Sequence, residues 1–146
     1  MDIKGKNILL TGGSLGIGKE TAKALVEKGA NVLITGRSED RLKKAAEYSG
    51  AKYIVFDISD LDNISSKANE CLQILENRVD VLINNAGIGF RRNIEDLNAD
   101  DFITIYKTNV FGFSLLTKEI TTCMKDNESG TIINIGSTAS LKGYKG

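Results

Sequence analysis

The chain has 146 residues, and its nineteen lysines and arginines balance its nineteen aspartates and glutamates. This balance, without any basic block, argues against nucleic acid or an anionic membrane as the main partner. The absence of histidine excludes a Ser-His-Asp triad, a Cys-His pair and a histidine-ligated zinc site.

Five short apolar runs alternate with stretches of helical pattern along the chain. The predicted strands are 7–12, 31–36, 52–57, 80–85 and 131–137, and the predicted helices are 17–28, 39–48, 60–77 and 100–125. Because each run is almost continuous in Val, Ile, Leu and Phe, both faces of the strands should be covered, as in a parallel sheet. The alternation predicts an α/β fold, a doubly wound parallel sheet of five strands with four helices, forming one domain over residues 1–146.

Helix ends are marked by glycines and hydroxyl side chains. Gly29 and Gly50 are the expected C-terminal ends of the first two helices, and Ser38 and Ser59 are the expected N-caps of the second and third.

The N-terminal sequence and the cysteines indicate the cellular compartment of the protein. The start, MDIKGKN, lacks the apolar core of a signal peptide, and no apolar run approaches the roughly 20 residues that span a bilayer. Cys71 and Cys123 form no C-x-x-C pair, which is typical of reduced thiols. We therefore expect a cytoplasmic protein without a membrane anchor.

A glycine-rich stretch, TGGSLGIG (11–18), joins the first strand to the first helix. A helix start offers unpaired N–H groups and a partial positive charge that attract phosphate. Glycines at positions 12, 16 and 18 let the backbone turn sharply and approach a ligand closely. The stretch therefore predicts a site for the phosphates of a dinucleotide.

Two alternatives compete with the dinucleotide site. Gly13 to Gly18 followed by Lys19 fits the P-loop pattern G-x-x-x-x-G-K, but Glu20 stands where a Ser or Thr hydroxyl must bind magnesium. The other alternative is a tight glycine turn that binds no ligand.

The end of the second strand indicates which dinucleotide is bound. An acidic residue here would bind the 2′-hydroxyl of NAD, whereas arginine suits the 2′-phosphate of NADP. The strand ends in TGRSED, so Gly36 leaves room and Arg37 supplies positive charge. This pattern favours NADP(H) over NAD(H). The alternatives are NAD(H), or a solvated Arg37 that pairs with Asp40.

Four motifs together resemble the classical short-chain dehydrogenases/reductases. They are TGGSLGIG, NNAG (84–87), Asn109 in KTNVFG and Ser137 in INIGS, in the family's order over essentially the whole chain. The resemblance implies a Rossmann-type fold that binds NAD(P)(H) and moves hydride between nicotinamide and a small-molecule alcohol or carbonyl substrate. It also implies a homo-oligomer, either a dimer or a tetramer.

The resemblance assigns cofactor contacts to the segments that follow the first four strands. Leu15 occupies the position at which some NADP-preferring members carry arginine or lysine, and Asn84 is expected to tie neighbouring strands together. The implied cofactor residues are Gly12, Ser14, Leu15, Gly16, Ile17 and Gly18 around the pyrophosphate, Arg37 at the 2′-phosphate, Asp57 and Ile58 at the adenine, and Asn85, Ala86 and Gly87 at the adenosine ribose.

Asn109 is one of two expected catalytic residues. It lies in a gap of a predicted apolar helix face, where a buried amide costs about 1–3 kcal/mol unless it is hydrogen-bonded. Neighbouring backbone could satisfy the amide, but the resemblance implies that it holds a water of a proton relay. The predicted apolar face comprises Phe102, Ile105, Phe113, Leu116 and Ile120.

Ser137 is the other expected catalytic residue. The resemblance implies that it polarises the substrate oxygen while a tyrosine transfers the proton. A phenol with a pKa of about 10 needs a nearby cation for this task, which a Tyr-x-x-x-Lys motif supplies. Tyr144 comes too soon after Ser137 for that role and is expected to be a substrate-pocket or surface residue.

No Tyr-x-x-x-Lys motif occurs between Ser137 and Gly146. We therefore expect these residues to be the N-terminal part of a longer enzyme or a truncated relative, inactive alone and without the last strands and helices of the full fold. The alternative is a non-catalytic dinucleotide-binding or oligomerisation module. The absence of the next helix should leave apolar surface exposed.

Arg91 and Arg92 could bind an acidic group, although solvated arginines are the commoner case.

Overall fold

Five parallel strands form one sheet in the order β3-β2-β1-β4-β5 in this computed structural model, which describes residues 2–89 and 92–141. Two residues discussed above, Arg91 and Tyr144, lie outside the described residues. The predicted α/β class and parallel sheet are confirmed. The strands are β1 (Asn7–Leu10), β2 (Asn31–Gly36), β3 (Lys52–Val55), β4 (Val81–Asn84) and β5 (Thr131–Asn134), and the α-helices are α1 (Gly16–Glu27), α2 (Glu39–Ser49), α3 (Ile64–Ile74), α4 (Ala99–Tyr106) and α5 (Phe113–Asp126).

Apolar side chains cover both faces of the sheet over β1, β2 and β4, but the prediction that both faces are covered is wrong for β5, whose residues are mostly exposed. On β1, Ile8 and Leu10 belong to one core cluster and Leu9 to the other, as expected when successive side chains point to opposite faces. Helices α1 and α2 cover the first face through Ala22 and Leu42, while α3 and α5 cover the second. This two-sided burial explains why the strand sequences are almost continuously apolar.

The chain reverses its direction across the sheet between β1 and β4. It runs outward from β1 through β2 to β3, then crosses to β4 on the other side of β1. In open α/β sheets a ligand crevice forms at this point, beyond the carboxyl ends of the strands. The topology therefore brings the segments after β1, β2, β3 and β4 together.

The opposite end of the sheet is held by a buried carboxylate. Asp80 accepts hydrogen bonds from the Asn7 backbone N–H at 2.9 Å and from Arg78 at 2.8 Å, and Lys6 lies 3.4 Å away. Burial alone would raise the pKa of Asp80, but the hydrogen bonds from Arg78 and Asn7 outweigh it and hold that pKa below its usual value. The starts of β1 and β4 are thus locked together.

The predicted helix ends are mostly confirmed, with one correction. Ser38 caps α2, since its hydroxyl accepts from the Arg41 N–H at 3.5 Å, and Gly29 and Gly50 follow helices with left-handed φ angles of 83° and 77°. The prediction that Ser59 caps the third helix is wrong. Its hydroxyl donates to Asp57 Oδ1 at 2.7 Å, and a 3-10 turn, Leu61–Asn63, intervenes before α3.

The predicted helix 100–125 is two helices, α4 and α5, joined by a π-helical segment, Lys107–Gly112. A π turn takes in an extra residue, so it rotates the helix face that follows. As a result the predicted apolar face is not one buried surface, because Phe102 is 50% exposed whereas Leu116 and Ile120 are fully buried.

Apolar side chains are exposed on β5 and on the α4–α5 segment. Ile132 and Ile133 on β5 are 40% and 42% exposed, and Phe102, Ile103 and Tyr106 on α4 are each 50% exposed. Among residues 2–89 and 92–141, no helix has the length and apolar character needed to cross a membrane.

Candidate functional site

A cavity of about 600 Å³ lies at the carboxyl ends of the central strands. All but three of the predicted site residues line it. The three that do not are Gly16, Asn109 and Ser137. The predicted residues that line the cavity are Gly12, Ser14, Leu15, Ile17, Gly18, Arg37, Asp57, Ile58, Asn85, Ala86 and Gly87.

The glycine loop packs directly against the loop that follows β4. Gly12 has a φ of 69°, and a Cβ there would lie 2.8 Å from Ala86 Cα. A Cβ on Gly18 would collide with the carbonyl oxygen of Gly12 and lie 2.6 Å from Asn85 Nδ2. Glycine is therefore required at both positions by close backbone approach, and at Gly12 also by its conformation.

The first turn of α1 has no side-chain cap. Its N-cap is Leu15, which cannot accept a hydrogen bond, and the turn contains no acidic residue. Leu15 and Ile17 are 55% and 70% exposed. The start of α1 therefore lacks a side-chain acceptor and a compensating acid, and Leu15, Ile17 and Gly18 line the cavity, which suits a phosphate.

Lys19 does not take the place of a P-loop lysine. Its ammonium group lies 4.1 Å from the centre of the Tyr48 ring and 3.7 Å from a Glu20 carboxylate oxygen. Tyr48 in turn donates to Glu20 at 2.9 Å. Lys19 thus joins α1 to α2, which argues against the P-loop alternative.

Thr11 and Asn85 hold the two loops together. The Thr11 hydroxyl accepts from the backbone N–H groups of Asn85 and Ala86, each at 3.0 Å. Asn85 Nδ2 donates to the carbonyl oxygens of Thr11 and Gly12 at 3.0 and 3.1 Å. The Asn85 amide nitrogen is therefore committed to the glycine loop.

The end of β2 forms a positively charged part of the cavity. A Cβ on Gly36 would lie 3.3 Å from Ser14 Oγ, so glycine keeps this corner open. Arg37 and Arg41 both line the cavity. Within the part of the chain that the structure describes, neither arginine forms an ion pair, so the alternative in which Asp40 neutralises Arg37 finds no support.

Several lining residues were not anticipated from the sequence. Arg41 comes four residues after Arg37, and this spacing in the sequence could have predicted that the two residues line the same part of the cavity. Thr108 precedes Asn109, and no motif in the sequence identified it as a lining residue. The lining residues that were not anticipated are Thr35, Ser38, Arg41, Phe56, Ile88 and Thr108, and the lining also includes Gly36, which was expected to leave room.

The loop after β3 is ordered by its own carboxylate and by a close contact. Asp57 Oδ1 accepts from the backbone N–H of Ser59 at 2.9 Å as well as from its hydroxyl. Ile58 is 5% exposed, and its carbonyl oxygen lies where a Cβ on Gly112 would be. The π-helical segment therefore supports this wall of the cavity.

Asn109 holds the loop after β4 from the π-helical segment. Its Oδ1 accepts from the Ile88 N–H at 2.9 Å, and its Nδ2 donates to the Ile88 carbonyl oxygen at 2.8 Å. The open alternative, satisfaction by neighbouring backbone, therefore describes this side chain. A role in holding a water stays a prediction.

Ser137 lies three residues beyond β5, which ends at Asn134 and not at the predicted residue 137. Its hydroxyl accepts from the Ala139 N–H at 3.1 Å and caps the 3-10 turn Thr138–Ser140. Asn84 Nδ2 donates to Asn134 Oδ1 at 2.8 Å and ties β4 to β5. The structure thus places Ser137 at the same edge of the sheet as the cavity, but not in its lining.

Arg92 contacts α4 and not the cavity. Its guanidinium donates to Asp101 Oδ2 at 2.7 Å, and the same carboxylate oxygen accepts from the Asn98 N–H at the start of α4. The side chain therefore helps to fix the start of this helix.

Comparison with known proteins finds oxidoreductases by family model, by sequence and by structure. A family model described as short chain dehydrogenase matches residues 6–146. The chain is 37% identical over 141 residues to dehydrogenase/reductase SDR family member 7B of Xenopus tropicalis, covering 89% of this chain and 45% of that protein. It is 34% identical to the 3-oxoacyl-(acyl-carrier-protein) reductase FabG of Salmonella typhimurium, covering 100% of this chain and 60% of the relative. A metagenomic short-chain oxidoreductase solved in complex with NADP superimposes with a TM-score of 0.90 at 28% identity, over 99% of this chain and 68% of that one.

Proposed function

The chain belongs to the short chain dehydrogenase family, and on that premise we propose that it binds NADP(H) for an oxidoreductase acting on a small-molecule alcohol or carbonyl compound. The observation that carries this proposal is the cavity wall at the end of β2. Gly36 and Arg37 stand there in place of an acidic residue, beside the uncapped start of α1. The relative solved with NADP supports the same assignment.

The residues of the cavity fit a dinucleotide. The glycine loop leaves room that a Cβ would fill, and the N–H groups at the start of α1 would hold the diphosphate. Asp57 and Ile58 would flank the adenine, and the loop of Asn85 to Gly87 would face the ribose. When bound, NADP(H) supplies the hydride or accepts it.

We also propose roles for the two polar residues outside the cavity lining. Asn109 positions Ile88 through its amide and takes part in a water relay. Ser137 steadies the substrate oxygen while a tyrosine, assisted by a lysine, exchanges the proton. Because the chain spans 45% and 60% of the two relatives described above, turnover has to be measured on the full-length protein. The 3-oxoacyl compounds named for the Salmonella relative are the first carbonyl substrates to assay.

Residues 1–146 are proposed to act as one nucleotide-binding domain in the cytoplasm. Both core clusters share the one sheet, which supports a single domain. Cys71 and Cys123 are buried free thiols, and burial raises the pKa of Cys71 to about 12, so this thiol is unreactive at neutral pH.

The cofactor preference is tested by titrating NADPH and NADH into the full-length protein. We expect NADPH to bind more tightly than NADH, and Arg37→Gln to weaken NADPH binding at least about tenfold because charge-assisted hydrogen bonds to the 2′-phosphate are lost. The affinity for NADH should change little and serves as the control for folding. Equal affinity for the two cofactors would show the NADP preference to be wrong, and no binding of either would refute the function.

The protein is further proposed to be a homo-oligomer, a dimer or a tetramer. Exposed apolar side chains on α4 and the π-helical segment support this, since Phe102, Ile103 and Phe111 are 48–50% exposed. Light scattering of the full-length protein at high concentration should give at least twice the monomer mass. A monomer mass at all concentrations would contradict the proposal.

A further inference from the structure

Arg41 shares the charged part of the cavity with Arg37. Arg37 precedes α2 and Arg41 lies in its first turn, four residues later, and both residues line the cavity. Ser38 caps this turn by accepting from the Arg41 N–H at 3.5 Å, which fixes the backbone that carries Arg41. Gly36 precedes Arg37 in the same wall, and a Cβ there would lie 3.3 Å from Ser14 Oγ.

The first turns of α2 carry several cations, of which Lys43 has a carboxylate partner, since it lies 3.1 Å from Glu39 in an i,i+4 pair. In residues 2–89 and 92–141, Arg37 and Arg41 have no such carboxylate partner. Two unpaired guanidinium groups beside a cavity favour a ligand with more than one negative charge.

We propose that Arg41 is a second specificity residue, which binds the adenosine 2′-phosphate of NADP(H) together with Arg37. The proposal rests on the proposed function. A phosphate monoester carries a charge of about −1.5 to −2 at neutral pH and three acceptor oxygens. One guanidinium satisfies at most two of these oxygens by a bidentate contact. A second guanidinium can bind the remaining oxygen and offset the remaining charge, and Arg41 lines the same cavity.

The test compares Arg41→Gln with Lys44→Gln by fluorescence titration of NADPH and NADH into the full-length protein. Both variants remove one positive charge from α2, but Lys44 does not line the cavity, so it controls for the general electrostatic change. We expect Arg41→Gln to weaken NADPH binding about tenfold and to change NADH binding less than about twofold. Lys44→Gln should change neither by more than about twofold. Arg41→Lys, which keeps the charge but loses the planar fork, should recover part of the loss.

The outcomes separate this proposal from the one on which it rests. Retained NADH binding by Arg41→Gln shows that the variant is folded. If its NADPH affinity then equals that of the wild type, or falls no further than that of Lys44→Gln, the role of Arg41 is overturned while the proposed function stands. If the wild-type protein binds neither cofactor, the proposed function fails and this proposal fails with it.

Discussion

Replacement of Gly18 by alanine should reduce NADPH affinity at least about 100-fold, because the new methyl group collides with the carbonyl oxygen of Gly12 and lies 2.6 Å from Asn85 Nδ2. Neither neighbour can move freely. The first is backbone, and the second already donates to the carbonyl oxygens of Thr11 and Gly12. Relief of the collision must therefore separate the start of α1 from the loop after β4, which are the two walls that would hold the diphosphate.

NADPH titration of the full-length protein measures this effect, and denaturant unfolding reports the accompanying loss of stability, about 1–3 kcal/mol for such overpacking. Gly89→Ala is the matched control, because a Cβ at Gly89 meets no atom of the described residues within 4 Å and its backbone is not left-handed. Wild-type affinity in Gly18→Ala would show that the glycine loop does not hold the cofactor as proposed.

Replacement of Gly112 by alanine should lower the free energy of unfolding by about 3 kcal/mol, at the upper end of overpacking effects. A Cβ at this position would collide with the Ile58 carbonyl oxygen and lie 2.9 Å from its carbonyl carbon. Gly112 is the last residue of the π-helical segment and is buried. The backbone fixes the position of the added methyl group, so the methyl group cannot avoid the collision by moving into solvent. The two backbones must move apart.

Urea unfolding measures this loss of stability, and Gly136→Ala provides the control because a Cβ at Gly136 has open space around it. NADPH affinity should fall as well, since Ile58 and Thr108 both line the cavity and lie on the two segments that separate. A change in unfolding free energy below about 0.5 kcal/mol, the range of ordinary surface substitutions, would show that the close approach of Gly112 to Ile58 does not exist in solution.

Local patterns in the sequence determined the fold and the position of the cavity. Continuous apolar runs predicted strands with both faces covered, which is confirmed for β1, β2 and β4 but not for β5. Alternation with helical segments predicted the parallel sheet, because hydrophobic period and run length depend on neighbouring residues alone. The stretch TGGSLGIG lies after β1 and the motif NNAG begins at the last residue of β4, as predicted, and parallel strands bring these carboxyl ends to one edge.

Tertiary contacts decided the details that the local patterns left open. The Asn109 side chain accepts a hydrogen bond from the backbone of Ile88, twenty-one residues earlier in the sequence. The Asn85 side chain donates one to the backbone of Gly12, seventy-three residues earlier. The close packing of Gly112 against Ile58 accompanies the π-helical segment where the periodicity predicted one continuous helix. Each of these features depends on a partner that is distant in sequence. Periodicity and motif spacing carry no information about which distant backbone a given side chain will meet, and only the folded chain brings the two together.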